Sequence, residues 1–205
     1  EVAARLKSDF DAVVVAVGAA APRGLAAPGA DQKGVVFAVD YLTSSTKSVI
    51  NGTEPAISAK DLDVVVIGGG NVGLDVVEFF APRGAETTII EMMPIIGNGL
   101  DASSTSSMKE CMEKHHVRQM TNTSLQKVNA HSFLVKYDGK EEELPFDYGF
   151  VCLGMRANAP IWNDIQEAFV EVLNIGDSVR ARRIIDGTDA GRHMVLNTLE
   201  RLNYL

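Results

Sequence analysis

Apolar residues in this chain fall into short β-branched runs that end on glycine, separated by stretches with helical spacing or with clustered Pro, Gly, Ser and Asn. The first run, residues 12–17 (AVVVAV), follows Asp11 and stops at Gly18, the pattern of a buried parallel strand leaving its sheet. Residues 21–36 hold too much Pro and Gly for a long helix and predict an extended connection. The spacing of Phe37, Val39, Tyr41 and Leu42 predicts a helix over 37–48, closed by the turn residues of INGTEPAIS. A domain boundary is expected near Ala59.

From Asp63 the order is strand, glycine loop, helix, strand: DVVVIGGG, NVGLDVVEFFAPRG, AETTIIE, a βαβ half-unit. Met108, Cys111 and Met112 predict a helix over 103–115, with a Ser/Thr-rich start suited to capping. Short strands are expected at 117–120, 124–129 and 132–137, with Asp138-Gly139 as a hairpin turn, together an antiparallel meander. FDYGFVCLG then repeats the logic of DFDAVVVAVG, so the two segments read as equivalents. The tail predicts a strand in VEVLNIGD and a helix over 182–202, with Ile184, Ile185, Met194, Val195, Leu196 and Leu199 suited to core packing. The fold class is α/β, with a Rossmann-like three-layer domain at its centre.

Composition narrows the function classes. At 205 residues, 46% hydrophobic and 22% charged, the chain suits a globular protein with a real core. Its longest apolar runs are far shorter than the roughly 20 residues a membrane helix needs. The start EVAARLKSDFD lacks a basic leader and apolar core, so a cytoplasmic protein is expected, without membrane partners. A net charge of −8 argues against a nucleic-acid surface. The two cysteines, Cys111 and Cys152, have neither redox-pair nor zinc spacing, so no metal site is expected.

The sharpest chemical signal is Gly68-Gly69-Gly70-Asn71-Val72-Gly73, a G-x-G-x-x-G that directly follows an apolar strand and opens a helix. Gly68 would permit the tight turn, Gly70 close approach of a pyrophosphate, and Gly73 close packing of helix on strand. The phosphates would sit at the positive end of the helix, over the backbone of Asn71 and Val72. Glu91 ends the next strand about 20 residues on, where such a fingerprint has an acid for the ribose hydroxyls. A carboxylate there accepts from a 2′-OH and repels a 2′-phosphate, and neighbouring Met92 and Met93 supply no positive charge. NAD(H) is therefore expected over NADP(H). Arg83 lies at the wrong end of the helix for a phosphate clamp. His115 and His116 close a helix where imidazolium meets the dipole, and Trp162 reads as a packing anchor.

With these motifs in order, the chain resembles the two-dinucleotide flavoproteins, in which an NAD(P) domain is inserted into an FAD domain. DFDAVVVAVGA, PGADQKGVVFAVDYL and ISAKDLDVVVIGGG are similar to the glutamate synthase small subunit. GLDVVEFF, IIEMMP and IGDSVRARRIIDGTDAG are more similar to the C-terminal part of NADH:flavin oxidoreductases, the old yellow enzyme-related dienoyl-CoA and enoate reductase group. The resemblance implies a partial FAD-binding domain with its crossover over 1–59, an NAD(H)-binding domain over 60–155, and the C-terminal part of the FAD domain over 156–205. It implies an FAD-dependent NAD(P)H oxidoreductase in which hydride passes from NADH to a flavin. It also implies that Asp177, in the motif ending Gly176-Asp177, meets the ribityl chain of FAD; a strand-end aspartate capping the next helix is the equal alternative. Gly18 and Gly154 would mark the connectors between domains, with Gly154-Met155 near the nicotinamide. Asp75 matches a family position usually held by Glu that faces nicotinamide and flavin; the alternative is a first-turn helix acid.

The departure from that family is the presence of one fingerprint where two are expected, so the chain reads as a fragment. Its partner would be the missing N-terminal flavin-binding part, and alone it would be inactive. A non-catalytic ADP-binding or assembly module, or part of a pyridine nucleotide-disulfide reductase, stays open, as does a homo-oligomer.

Overall fold

The computed structural model describes residues 2–16, 18–19, 21–58, 60–157, 162–169 and 171–203. They divide into two compact units, residues 22–154 and residues 1–21 with 155–205. The expected boundary residue Ala59 lies outside the described residues. The first unit reaches back to Pro22, because β1 (Val35–Phe37) joins its sheet and α1 (Ala38–Asn51) packs on it.

The centre of that unit is a five-stranded parallel sheet. Its strands are β1, β2 (Asp63–Ile67), β3 (Glu86–Ile90), β4 (Arg118–Met120) and β8 (Tyr148–Val151), in spatial order β1-β8-β2-β3-β4. The alternation of β2 builds two cores at once. Val64 and Val66 join Tyr41 of α1, Leu74, Val77 and Phe80 of α2 (Asn71–Phe80) and Met112 of α3 (Ala102–Lys114) on one face. Val65 and Ile67 join the other core, under an antiparallel meander of β5 (Ser124–Val128), β6 (Ser132–Tyr137) and β7 (Lys140–Pro145). The result is three layers, helices, parallel sheet and meander, as the sequence implied.

Two details differ from expectation. Residues 118–120 form the edge of the parallel sheet rather than part of the meander. The third meander strand is the acidic KEEELP, whose single buried side chain, Leu144, left almost no pattern to read. The hairpin between β6 and β7 turns at Asp138 and Gly139, both with positive φ, the conformation a two-residue turn of this twist requires. Gly149 in β8 is also explained by the meander: a Cβ there would lie 2.2 Å from the Phe133 ring, which stacks on Phe146 with centroids 4.2 Å apart.

The second unit holds helices Val2–Asp9, Trp162–Ala168 and Ile184–Arg201. Two expected strands do not form among its described residues. Residues 12–16 have no ladder partner among the described residues, Val14 is 89% exposed, and Val17 lies outside the described residues. The described residues of VEVLNIGD, 171–177, form no strand and run into a single 3-10 turn at Gly176–Ser178; Val170 lies outside the described residues. The expected core face of the last helix is not a core either. Ile184, Ile185, Met194, Val195 and Leu196 are exposed, and none of the helix's described residues is buried, because no described layer covers it. No helix among the described residues is long and apolar enough to cross a membrane.

Candidate functional site

The glycine loop between β2 and α2 separates the three fingerprint glycines, Gly68, Gly70 and Gly73, by what surrounds them. Gly68 has φ +110°, and a Cβ on it would lie 2.7 Å from the Cys152 carbonyl oxygen, so both conformation and space require glycine. Gly73 is the tightest: its Cβ would meet the Gly68 carbonyl oxygen at 1.9 Å and Val66 Cγ1 at 3.3 Å, where the first helical turn lies on the strand. Gly70 is different. It is the N-cap of α2 with extended backbone and no side-chain cap, and a Cβ there would meet nothing within 4 Å. The uncapped amide end of a helix thus faces open space at the one glycine that packing does not demand, a cradle that suits an anion. Asn71 is exposed and Val72 half-buried in the first turn.

Glu91 stands beside this cradle, half-buried after β3. Its Oε2 accepts from the Gly69 N–H at 2.6 Å and its Oε1 from the Met93 N–H at 2.8 Å. Its backbone continues the sheet, donating to the Met120 carbonyl and accepting from the Thr123 N–H. Met92, Met93 and Ile95 form an exposed apolar lip after it. Arg83 is held at the far end of α2, its guanidinium 4.0 Å over the Phe79 ring and donating to the Phe79 carbonyl at 2.6 Å.

Asp75 lies on the exposed side of α2, and its carboxyl is pushed above the usual range by desolvation and then by the neighbouring Glu78 charge. Cys152, buried past the end of β8, has its thiol raised to about 12, first by burial and then by the Asp75 charge. Such a thiol is unreactive at neutral pH. Gly154 has φ +79°, and its carbonyl accepts from the Arg23 N–H at 2.9 Å.

Gly18, Met155, Gly176 and Asp177 fall in the other unit. Gly18 and Gly176 have positive φ, and Met155 is half-buried. The Asp177 Oδ1 accepts from the Arg182 N–H at 3.2 Å, a local contact ahead of the last helix, whose own cap is the Arg183–Asp186 pair. Cys111 and Cys152 are both free thiols, and among the described residues no group of His, Cys, Asp and Glu could hold a metal. One loop partner of Gly69 has no sequence motif to announce it: the Gly97 N–H donates to its carbonyl at 2.7 Å.

Comparison with known proteins gives one consistent picture. Residues 2–178 match the family described as pyridine nucleotide-disulphide oxidoreductase. The chain is 48% identical over 75 residues to the glutamate synthase [NADPH] small chain of Bacillus subtilis, a match covering 35% of this chain and 15% of that one. It is 41% identical over 90 residues to the glutamate synthase [NADH] of Schizosaccharomyces pombe, covering 42% of this chain and 4% of that one. Among solved structures, a 2-naphthoyl-CoA reductase in complex with 2-naphthoyl-CoA shares the fold, with TM-score 0.72 and 23% identity over 92% of this chain and 27% of that one. The chain therefore spans a small part of the length of the relatives it matches.

Proposed function

Because the chain belongs to the pyridine nucleotide-disulphide oxidoreductase family, we propose that residues 60–155 are the NAD(H)-binding portion of a flavin-dependent oxidoreductase. The observation that carries this reading is the open space at Gly70, flanked by two glycines that packing does require. A sequence that needed only a tight turn there would have no use for the third glycine, whereas a pyrophosphate does.

The nicotinamide, when bound, supplies two-electron hydride chemistry, and the chain's own residues bind and orient it. Amides of the loop and the first turn of α2 take the pyrophosphate, helped by the dipole. Glu91 accepts from the adenine-side ribose hydroxyls, and Met92 borders that site. Gly154 and Met155 set the path of the chain at the nicotinamide end. Asp75 flanks that end as well, and its raised carboxyl suits a place beside an apolar ring. The second unit, residues 1–21 and 155–205, corresponds to part of a flavin-binding domain, with Gly18 and Gly176 at its connectors and Asp177 toward the ribityl chain of FAD. The rest of that domain is the expected partner.

For cofactor choice, a carboxylate at Glu91 followed by the uncharged Met92 and Met93 favours NADH over NADPH. The relatives' names divide between the two cofactors, so the preference is tested directly: the chain is titrated with NADH, NADPH and ADP by calorimetry, with an absorbance scan for bound flavin. Saturable binding of NADH in preference to NADPH supports the reading. Bound ADP that NADH cannot displace would instead indicate a non-catalytic nucleotide module.

A further inference from the structure

Two segments converge on Gly69, Glu91 after β3 and the loop at Ile96–Gly97. Its N–H donates to Glu91 Oε2 at 2.6 Å, and its carbonyl accepts from the Gly97 N–H at 2.7 Å. The second Glu91 oxygen accepts from the Met93 N–H at 2.8 Å. The space beside Gly69 is also filled, since a Cβ there would lie 3.1 Å from Glu91 Cβ and 3.1 Å from Ile96 Cγ1. A charged acceptor makes bonds about twice as strong as a neutral one, so the Glu91 contact is the stronger hold on the Gly69 amide.

We infer that Glu91 is also the positioning residue of the glycine loop, fixing Gly69 so that Gly70 and the start of α2 stay open to a pyrophosphate. This rests on the reading of the loop as a nucleotide site. The lone-pair count allows both roles. A carboxylate offers about four acceptor sites, and two backbone amides use one on each oxygen, which leaves one on each for the two ribose hydroxyls. An amide side chain could not do the same. Glu91→Gln would turn an NH2 group toward one of the two N–H donors and lose that contact. Glu91 thus couples loop geometry to ribose recognition: the group that reads the sugar also holds the phosphate cradle.

The two roles separate with a ligand that has no ribose hydroxyls. The 205-residue chain, as wild type and as Glu91→Ala, is titrated with ADP and with 2′,3′-dideoxy-ADP by calorimetry. A Glu91 that only reads the ribose would leave 2′,3′-dideoxy-ADP binding unchanged in the variant, and that result overturns the inference while leaving the nucleotide site intact. A Glu91 that also positions the loop weakens 2′,3′-dideoxy-ADP about tenfold on removal, the scale of one lost bond to a charged group. Wild type that binds neither ligand overturns the nucleotide site itself, and this inference with it. Amide hydrogen exchange on unliganded wild type gives a readout that needs neither ligand nor variant. The Gly69 N–H is expected to exchange well behind the Gly70 N–H, and equal rates would contradict a Glu91 hold on the loop.

Discussion

Two apolar runs of nearly the same composition end in opposite circumstances. Val64, Val65, Val66 and Ile67 are at most 4% exposed, with parallel neighbours β8 and β3 on either side and a packed layer on each face. Residues 12–16 form no strand, and Val14 is 89% exposed. The same contrast separates two helices. In α2, Leu74, Val76, Val77 and Phe80 are buried, whereas in the helix Ile184–Arg201 Ile184, Ile185, Met194, Val195 and Leu196 are exposed and Leu199 is only half-buried. A β-branched run declares which residues favour cover; a ladder and a second layer decide whether they receive it. The unit of residues 22–154 has both, and the other unit, among its described residues, does not.

The contrast breaks most sharply at Gly73. Gly73→Val places a side chain where the Gly68 carbonyl already sits, and is expected to destabilise the unit of residues 22–154 by about 4 kcal/mol or more, read by urea denaturation. Unchanged stability would mean that helix and strand are not packed as described. Next in size, Glu91→Ala should weaken NADH about tenfold in a fluorescence titration, and NADPH by less, because the carboxylate favours only the former.

Burial also predicts chemistry. Cys152, with its thiol raised to about 12, should resist iodoacetamide at pH 8 until the unit unfolds, while the half-exposed Cys111 reacts earlier; the labelling order is read by mass spectrometry. A smaller effect belongs to Asp75. Its carboxyl is raised, so the folded state holds the proton more tightly than the unfolded one, and stability falls as pH rises from the ordinary carboxylate range through the folded value. Asp75→Asn should therefore raise the melting temperature slightly at pH 7, with the gain gone below about pH 4. The smallest change is on the other side of the comparison: Ile184→Ala should alter stability by no more than about 0.5 kcal/mol, since the side chain is 88% exposed. A loss of several kcal/mol there would reveal a covering layer.

What could be read from residues alone follows the same division. The fingerprint, α2, α3, the hairpin at Asp138-Gly139 and the strand at 148–151 were legible because local pattern and final environment agree. Strands at 12–17 and 170–177 and the buried face of the last helix were not, because an apolar pattern implies burial only where a layer supplies it, and no described layer does so there. The strand KEEELP was missed for the converse reason: its pairing to β6 is fixed by backbone bonds and one buried leucine, behind a row of exposed glutamates. In the site, Gly68, Gly70, Gly73 and Glu91 stand out by spacing, and their surroundings distinguish the glycines that packing requires from the one it does not. The Gly97 N–H that meets the Gly69 carbonyl comes from a returning loop, a long-range contact with no motif of its own.

The central claim is that the open glycine carries the pyrophosphate. It is tested most directly by calorimetric titration of NADH into wild type and Gly70→Asp, each first shown to be folded by circular dichroism. Because a side chain at Gly70 meets no protein atom within 4 Å, the variant should keep its fold and lose NADH binding by at least about a hundredfold, through clash and charge repulsion. Equal affinity in the two proteins would contradict the account and reduce residues 68–73 to a structural turn.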